Sequence, residues 1–176
     1  MIDYGFGVSL STLKEENLEK YRLARNSPAI YRWCRQIGLI SEIDQKNWFI
    51  RQNSDPKIQM FEINAPANKK SGLVGVTGLT DIDHINGRAE FSLYIMPEFQ
   101  GLGLADQALK TIFKFGFDTL NMNSIWGETF DGNIAASVFE KLGMKKDGYR
   151  REFYYKEGKY IGATIYSVLR SECLFL

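Results

Sequence analysis

Residues 88–110, "RAEFSLYIMPEFQGLGLADQALK", constrain the fold more than any other stretch of this chain. The first eight residues alternate strictly, which is the period of a strand. Ala89, Phe91, Leu93 and Ile95 fall on one face, and Arg88, Glu90, Ser92 and Tyr94 on the other. The first set predicts a core face. The second set is either solvated or lines a site. A proline and two closely spaced glycines end the strand, and a helical period takes over. Leu104, Ala108, Leu109, Ile112 and Phe113 make its apolar stripe, with Asp106, Lys110, Lys114 and Asp118 opposite. A strand that turns through glycine into an amphipathic helix points to a mixed α/β domain.

The flanking segments extend that reading. "YGFGVSL" reads as a first strand. Thr12 and Glu15 have capping-box spacing and predict a helix through "KEENLEKYRLAR". "SPAIYRWCRQ" opens with Ser-Pro, as a short helix does. Ser41 suits the N-cap of "SEIDQKNWFIRQ", whose apolar residues at 43 and 48–50 share a plausible face. "KIQMFEI" and "GLVGVTGLTDI" read as strands, the second weakened by glycines, with a hairpin turn at 64–72. "INGR" predicts a turn of the Asn-Gly kind. "SIWGETF" is a strand, and "NIAASVFEKLG" a short helix closed by Gly143. "DGYRREFYYKEGKYIGATIYSVL" gives two strands joined at "KEGK". Helices thus interrupt a largely antiparallel run.

The 176 residues fit a single domain, 1–176, with a sizeable core. The formal net charge is +1, so no basic excess argues for a nucleic-acid partner and no acidic run suggests a tail. The aromatic share of 14% is high and is assigned mostly to a well-filled core. The two cysteines, Cys34 and Cys173, form no CxxC pair and no zinc cluster. Reduced thiols in a cytoplasmic protein are expected. The N-terminus lacks a basic stretch followed by an apolar run, so no signal peptide is expected. No apolar stretch reaches roughly 18 residues, so no membrane partner is expected either. His84, the only histidine, reads as a solvated loop residue.

The glycine bend admits a functional reading. A helix start presents N–H groups without intrahelical partners and the positive end of the dipole, and glycines let a ligand approach the backbone. Together these form an anion site, most often for phosphate. The alternative is a plain strand-to-helix turn. A dinucleotide fingerprint would need glycine or alanine at the position of Asp106, and a P-loop would need Gly-Lys-Ser/Thr, which "GLADQ" lacks.

What remains is Gln100, Gly103 and Ala105 in a Q-x-x-G-x-A pattern. This resembles the acetyl-CoA loop of the GNAT N-acetyltransferases. "EFSLYIMPEFQGLGLADQALK" is similar to that family's fourth strand, loop and third helix. "FEKLGM" followed by "DG" and "RE" resembles the branch of ribosomal-protein N-terminal and spermidine acetyltransferases. The resemblance implies one mixed, mostly antiparallel sheet of about six to seven strands, flanked by helices and splayed between the fourth and fifth strands. It implies acceptor-side helices at about 12–53 and an acetyl-CoA-binding core at about 72–145. It further implies direct acetyl transfer from acetyl-CoA, as co-substrate, to a primary amine, with no metal.

By the same resemblance, the amides of Gln100, Gly101, Leu102, Gly103, Leu104 and Ala105 hold the CoA pyrophosphate. Backbone groups of Leu93, Tyr94 and Ile95 pair with the pantetheine arm. Glu90 is the first candidate base and Glu128, sharing a face with Ser124 and Trp126, the second. The family's usual proton-donating tyrosine falls at Phe139, which can only contact the cofactor. Ser137 and Tyr94 are the other possible donors. Asn133 matches a cofactor contact with a one-residue offset, or else caps its helix.

Three acceptors fit an amine acetyltransferase. A polyamine wants several carboxylates in one groove. A protein N-terminus wants an open trough at the splay. An amino-sugar nucleotide wants a basic patch, for which Arg32 and Arg35 are available. Glu42 and Asp44 either attract a cationic amine or favour a helix start. Trp33, Trp48, Tyr21 and Tyr31 lie in the acceptor-side helices. Phe139 also motivates a non-catalytic acyl-CoA-binding module as the alternative, and a ligand-free interaction domain is a third. A homodimer is a further expectation, with the apolar tail 174–176 covered by a partner or by the core.

Overall fold

The computed structural model describes residues 1–66 and 72–176. Its strands are β1 (Ser9–Thr12), β2 (Gln59–Ala65), β3 (Gly72–Asp83), β4 (Arg88–Ile95), β5 (Ser124–Phe130), β6 (Lys145–Lys156) and β7 (Lys159–Leu169). The helices are α1 (Leu18–Asn26), α2 (Pro28–Tyr31), α3 (Glu42–Ser54), α4 (Leu104–Lys114) and α5 (Ala135–Lys141). The strands form one seven-stranded sheet in the order β1-β2-β3-β4-β5-β7-β6. Every neighbouring pair is antiparallel except β4 and β5, which run parallel.

That parallel pair is short. Only Arg88, Ala89 and Glu90 find partners, at Ser124, Ile125 and Trp126. Beyond Glu90 the two strands part, while Leu93, Tyr94 and Ile95 stay paired to β3 through Thr77, Val76 and Gly75. The splay between the fourth and fifth strands is therefore present, and it leaves one edge of β4 open.

The sheet divides two clusters of buried side chains. Ala89, Phe91 and Ile95 pack with Leu104, Ala108, Leu109, Ile112 and Phe113 of α4 and with Phe139 of α5. The other cluster sets Tyr21, Ala24 and Ile30 of the first two helices against Val76 and Met96. The α4 stripe and the alternating β4 faces match the sequence reading, as do the Asp106–Lys110 and Lys114–Asp118 ion pairs on the outer face of the helix, each at 2.8 Å. Helical winding continues through Phe115–Thr119, but as a π turn.

Several local expectations are corrected. Thr12 ends β1, and the turn after it is a 3-10 helix at Glu15–Asn17 without a side-chain cap, so the Thr12/Glu15 capping box does not form. The expected first strand shortens to its last residues. The face that α3 buries carries Gln45, Trp48, Phe49 and Gln52, whereas Ile43 is 72% exposed and Ile50 55%. Gln45 is a polar member of a core stripe, which a count of apolar residues passes over. Ser41 does cap α3, in a capping box with Asp44. The 83–88 turn is longer than an Asn-Gly turn: only Gly87 has positive φ, and Asp83 Oδ1 accepts from the amides of Ile85 and Asn86. Gly75 and Gly78 in β3 are required rather than weakening, since a Cβ at either would lie 2.3 Å from a neighbouring strand's carbonyl oxygen, that of Tyr94 or of Gln59. The turn expected at 64–72 falls largely on 67–71, outside the described residues, although β2 and β3 on either side pair antiparallel.

Phe175 is covered by the core, edge-on to Phe6 at 5.9 Å and stacked near Phe113 at 6.5 Å, while Leu174 and Leu176 stay exposed. Among the described residues no helix is long and apolar enough to cross a membrane.

Candidate active site

The strand that leaves β4 meets a single 3-10 turn at Pro97–Phe99 and then the bend. Gln100 ties the bend to the strand end by donating from Nε2 to the Ile95 carbonyl at 3.0 Å. Gly101 and Gly103 take φ of 78° and 73°, a conformation costing an L-residue roughly 1–2 kcal/mol. Gly103 is the N-cap of α4 and supplies no side-chain cap, so the first-turn amides from Leu104 onward point outward unpaired by the helix. A Cβ at either glycine would meet nothing within 4 Å. The space before the loop is open, as a bound pyrophosphate requires, and it lies at the open end of the β4–β5 fork. The residues present therefore fit the acetyl-CoA co-substrate.

Two carboxylates face each other across the fork. Glu90, on β4, is at the last paired position, and Glu128 is two residues beyond its partner on β5. Their side chains are only 5% and 3% exposed. Arg35, in the loop after α2, joins them: Nη2 donates to Glu90 Oε1 at 2.6 Å, and Nη1 lies 3.7 Å from Glu128 Oε1. Glu128 is further held by Arg150 at 3.1 Å and by the Tyr154 hydroxyl, both from β6. Burial raises the Glu90 carboxyl above the usual glutamate range, and Arg35 pulls it part of the way back. A carboxylate raised in this way is better matched to accepting a proton near neutral pH.

The other sequence candidates are dispersed. The Ser137 hydroxyl, exposed on α5, donates to the Ile134 carbonyl. Tyr94 points to the α1–α3 side of the sheet, where its hydroxyl is buried without a partner among the described residues, and burial raises its pKa steeply. Phe139 is core, edge-on to Phe91 at 5.1 Å and Tyr166 at 5.6 Å. Asn133 Oδ1 accepts from the Ala135 amide at 3.0 Å, a turn-capping bond. His84 lies in the 83–88 turn, away from the fork. Arg150 and Tyr154 carry no sequence signal, because they reach Glu128 from the edge strand β6 across the intervening β7.

A mixed sheet that forks at one parallel pair, with an anion-receptive helix start at its mouth, has the architecture of an N-acetyltransferase. The chain belongs to the acetyltransferase (GNAT) domain family, whose family model matches residues 8–145. It is 25% identical over 168 residues to the spermidine N(1)-acetyltransferase of Escherichia coli (strain K12), covering 95% of this chain and 88% of that protein. The fold superposes with a TM-score of 0.88 on a spermidine N-acetyltransferase from Vibrio cholerae solved in complex with CoA and spermine, at 22% identity over 94% of this chain and 97% of the other. A dodecameric structure of a spermidine N-acetyltransferase from Vibrio cholerae gives a TM-score of 0.80 at 22% identity, covering 94% and 95%. The chain is an acetyl-CoA-dependent N-acetyltransferase that moves an acetyl group to an amine.

Proposed function

We propose that Glu90 is the general base of this acetyl transfer and that the acceptor amine approaches it from the side of α1–α3. The observation that carries this reading is the position of Glu90: a buried carboxylate with raised basicity at the last paired residue before the strands part. Residues 72–145 serve as the acetyl-CoA core and 12–53 as the acceptor cover. The loop amides of residues 100–105 bind the pyrophosphate, and the open edge of Leu93, Tyr94 and Ile95 takes the pantetheine arm as a sheet takes a strand.

Glu90 removes one proton from the ammonium, freeing the nitrogen lone pair. The N–C bond then forms as the C–S bond breaks, and the thiolate leaves with the bonding electrons. The second nitrogen proton balances that thiolate, so no separate acid is required at Phe139. Holding both reactants in the fork supplies the remaining advantage. Glu128 is the alternative base, but its two extra donors, Arg150 and Tyr154, suit a positioning role better. The reading extends to a cytoplasmic enzyme, consistent with its two free cysteines, and to self-association, which the dodecameric relative supports.

The test pairs acetyl-CoA calorimetry with thiol release on a panel of peptide, spermidine and amino-sugar acceptors. Binding with release for at least one amine, lost in Glu90→Gln while binding persists, is the expected result. Binding without release on any amine would instead favour a non-catalytic acyl-CoA module.

A further inference from the structure

We propose that the acceptor carries an anionic group, a carboxylate or a phosphate several bonds from its amine, and that Arg25 binds it. This deepens the reading above and rests on the acceptor entering from the α1–α3 side.

A cavity of about 200 Å³ lies between the helical layer and β2–β4, with Arg25 from α1, Cys34, Trp48 and Gln52 from α3, and Ser92 and Tyr94 from β4 among its walls. None of the residues lining it is acidic. The half-buried Arg25 guanidinium makes no hydrogen bond or ion pair with any described residue. The Tyr94 hydroxyl is buried and likewise lacks a partner among them. A guanidinium can only donate, and a phenol readily does. Buried polar groups are nearly always satisfied, so the Tyr94 hydroxyl calls for a partner in the cavity, and the half-buried Arg25 in the same wall supplies the positive charge that favours an anionic one. A planar guanidinium suits the paired oxygens of a carboxylate or phosphate.

The cavity opens beside the proposed base. Thr80, also in its wall, pairs with Glu90 across β3 and β4. Ser92 follows Glu90 by two residues on the same face, a step of roughly 7 Å along a strand. Cys34 precedes Arg35, which holds Glu90. An amine at Glu90 and an anion at Arg25 are thus spaced for one small molecule. The local field agrees: Arg25, Lys156 and Arg35 all oppose the rise that burial imposes on the Cys34 thiol. Glu90 and Glu128 are already paired with guanidinium groups, which leaves no carboxylate in the cavity for the second and third cationic centres of a polyamine.

The experiment compares kcat/KM for glucosamine 6-phosphate against glucosamine, and for lysine against its carboxyl amide, with spermidine as the cationic arm. The two pairs separate phosphate from carboxylate. The wild type is expected to prefer one anionic acceptor by at least about tenfold, the scale of a charge-assisted hydrogen bond. In Arg25→Ala that preference should vanish through KM with kcat little changed, and Arg25→Lys should restore part of it. A wild type that prefers spermidine or the uncharged partners, or a preference that survives in Arg25→Ala, would overturn the proposal. Inorganic phosphate and acetate, each titrated calorimetrically into protein saturated with CoA so that the 100–105 loop is already filled, give a readout independent of turnover. Saturable heat from either anion in the wild type and in Glu90→Gln, absent in Arg25→Ala, supports the subsite even if acetyl transfer fails; no heat from either anion in the wild type sinks it.

Discussion

Arg35 donates to Glu90 across the fork at 2.6 Å, setting a half-exposed cation on an almost fully buried carboxylate. The guanidinium lowers the proton affinity of Glu90 against the upward pull of burial. Replacing it as Arg35→Gln leaves burial unopposed, so the acid limb of the kcat/KM profile should move to higher pH. A pH–rate series on the two proteins checks this; an unmoved limb would show that Glu90 does not set it.

Glu90→Gln should lower kcat by about 10²–10⁴-fold, the usual worth of a positioned base, while acetyl-CoA binding holds. The same variant tests linkage. A carboxyl whose folded pKa is raised contributes stability that is complete below its unfolded value, near 4.5, and lost as pH rises through the folded value. Wild-type stability should therefore decline over that window more steeply than that of Glu90→Gln. Denaturant midpoints across pH give the comparison.

Gly103 separates strain from charge. Gly103→Ala places a Cβ in open space but at positive φ, so it should cost about 1–2 kcal/mol and leave acetyl-CoA binding measurable. Gly103→Glu adds a negative charge at an anion-receptive helix start and should abolish that binding in calorimetry. Equal binding by both variants would remove the loop from the cofactor site.

Tyr21 and Asn17 both donate to Glu62, whose side chain is buried on β2, and this joins α1 to the sheet. Glu62 raises the Tyr21 phenol further after burial has done so. Tyr21→Phe leaves the carboxylate one donor short and should cost about 1–3 kcal/mol in urea unfolding. Because α1 also carries Arg25, the acceptor KM should change more than the affinity for acetyl-CoA.

How much of this was legible in the sequence depended on distance along the chain. "SIWGETF" matches β5 residue for residue, and the α4 stripe is buried as its period predicts. The forked sheet followed from a resemblance centred on the glycine bend. Arg35 was visible only as one member of a basic patch, since 55 residues separate it from Glu90 and no periodicity reports what lies across a sheet. Gln45 is invisible to a count of apolar residues, because it is a polar member of the stripe that α3 buries. Strand alternation puts Tyr94 on the face it occupies, but it carries no information on the helices that bury the hydroxyl.

Among the described residues, β4 and β5 share only three residue pairs, extended at the closed end by the Gly87 carbonyl, which accepts from the amides of Asn123 and Ser124, and this short ladder is what joins one half of the sheet to the other. Each half is well laddered within itself, so this seam is where the sheet is least bound together. A ligand that fills the slot with amide groups mends it from within. Occupancy and resistance to opening then become one quantity: amide exchange along Leu93, Tyr94 and Ile95 should slow with acetyl-CoA in proportion to the fraction bound, and the melting temperature should climb with the logarithm of its concentration.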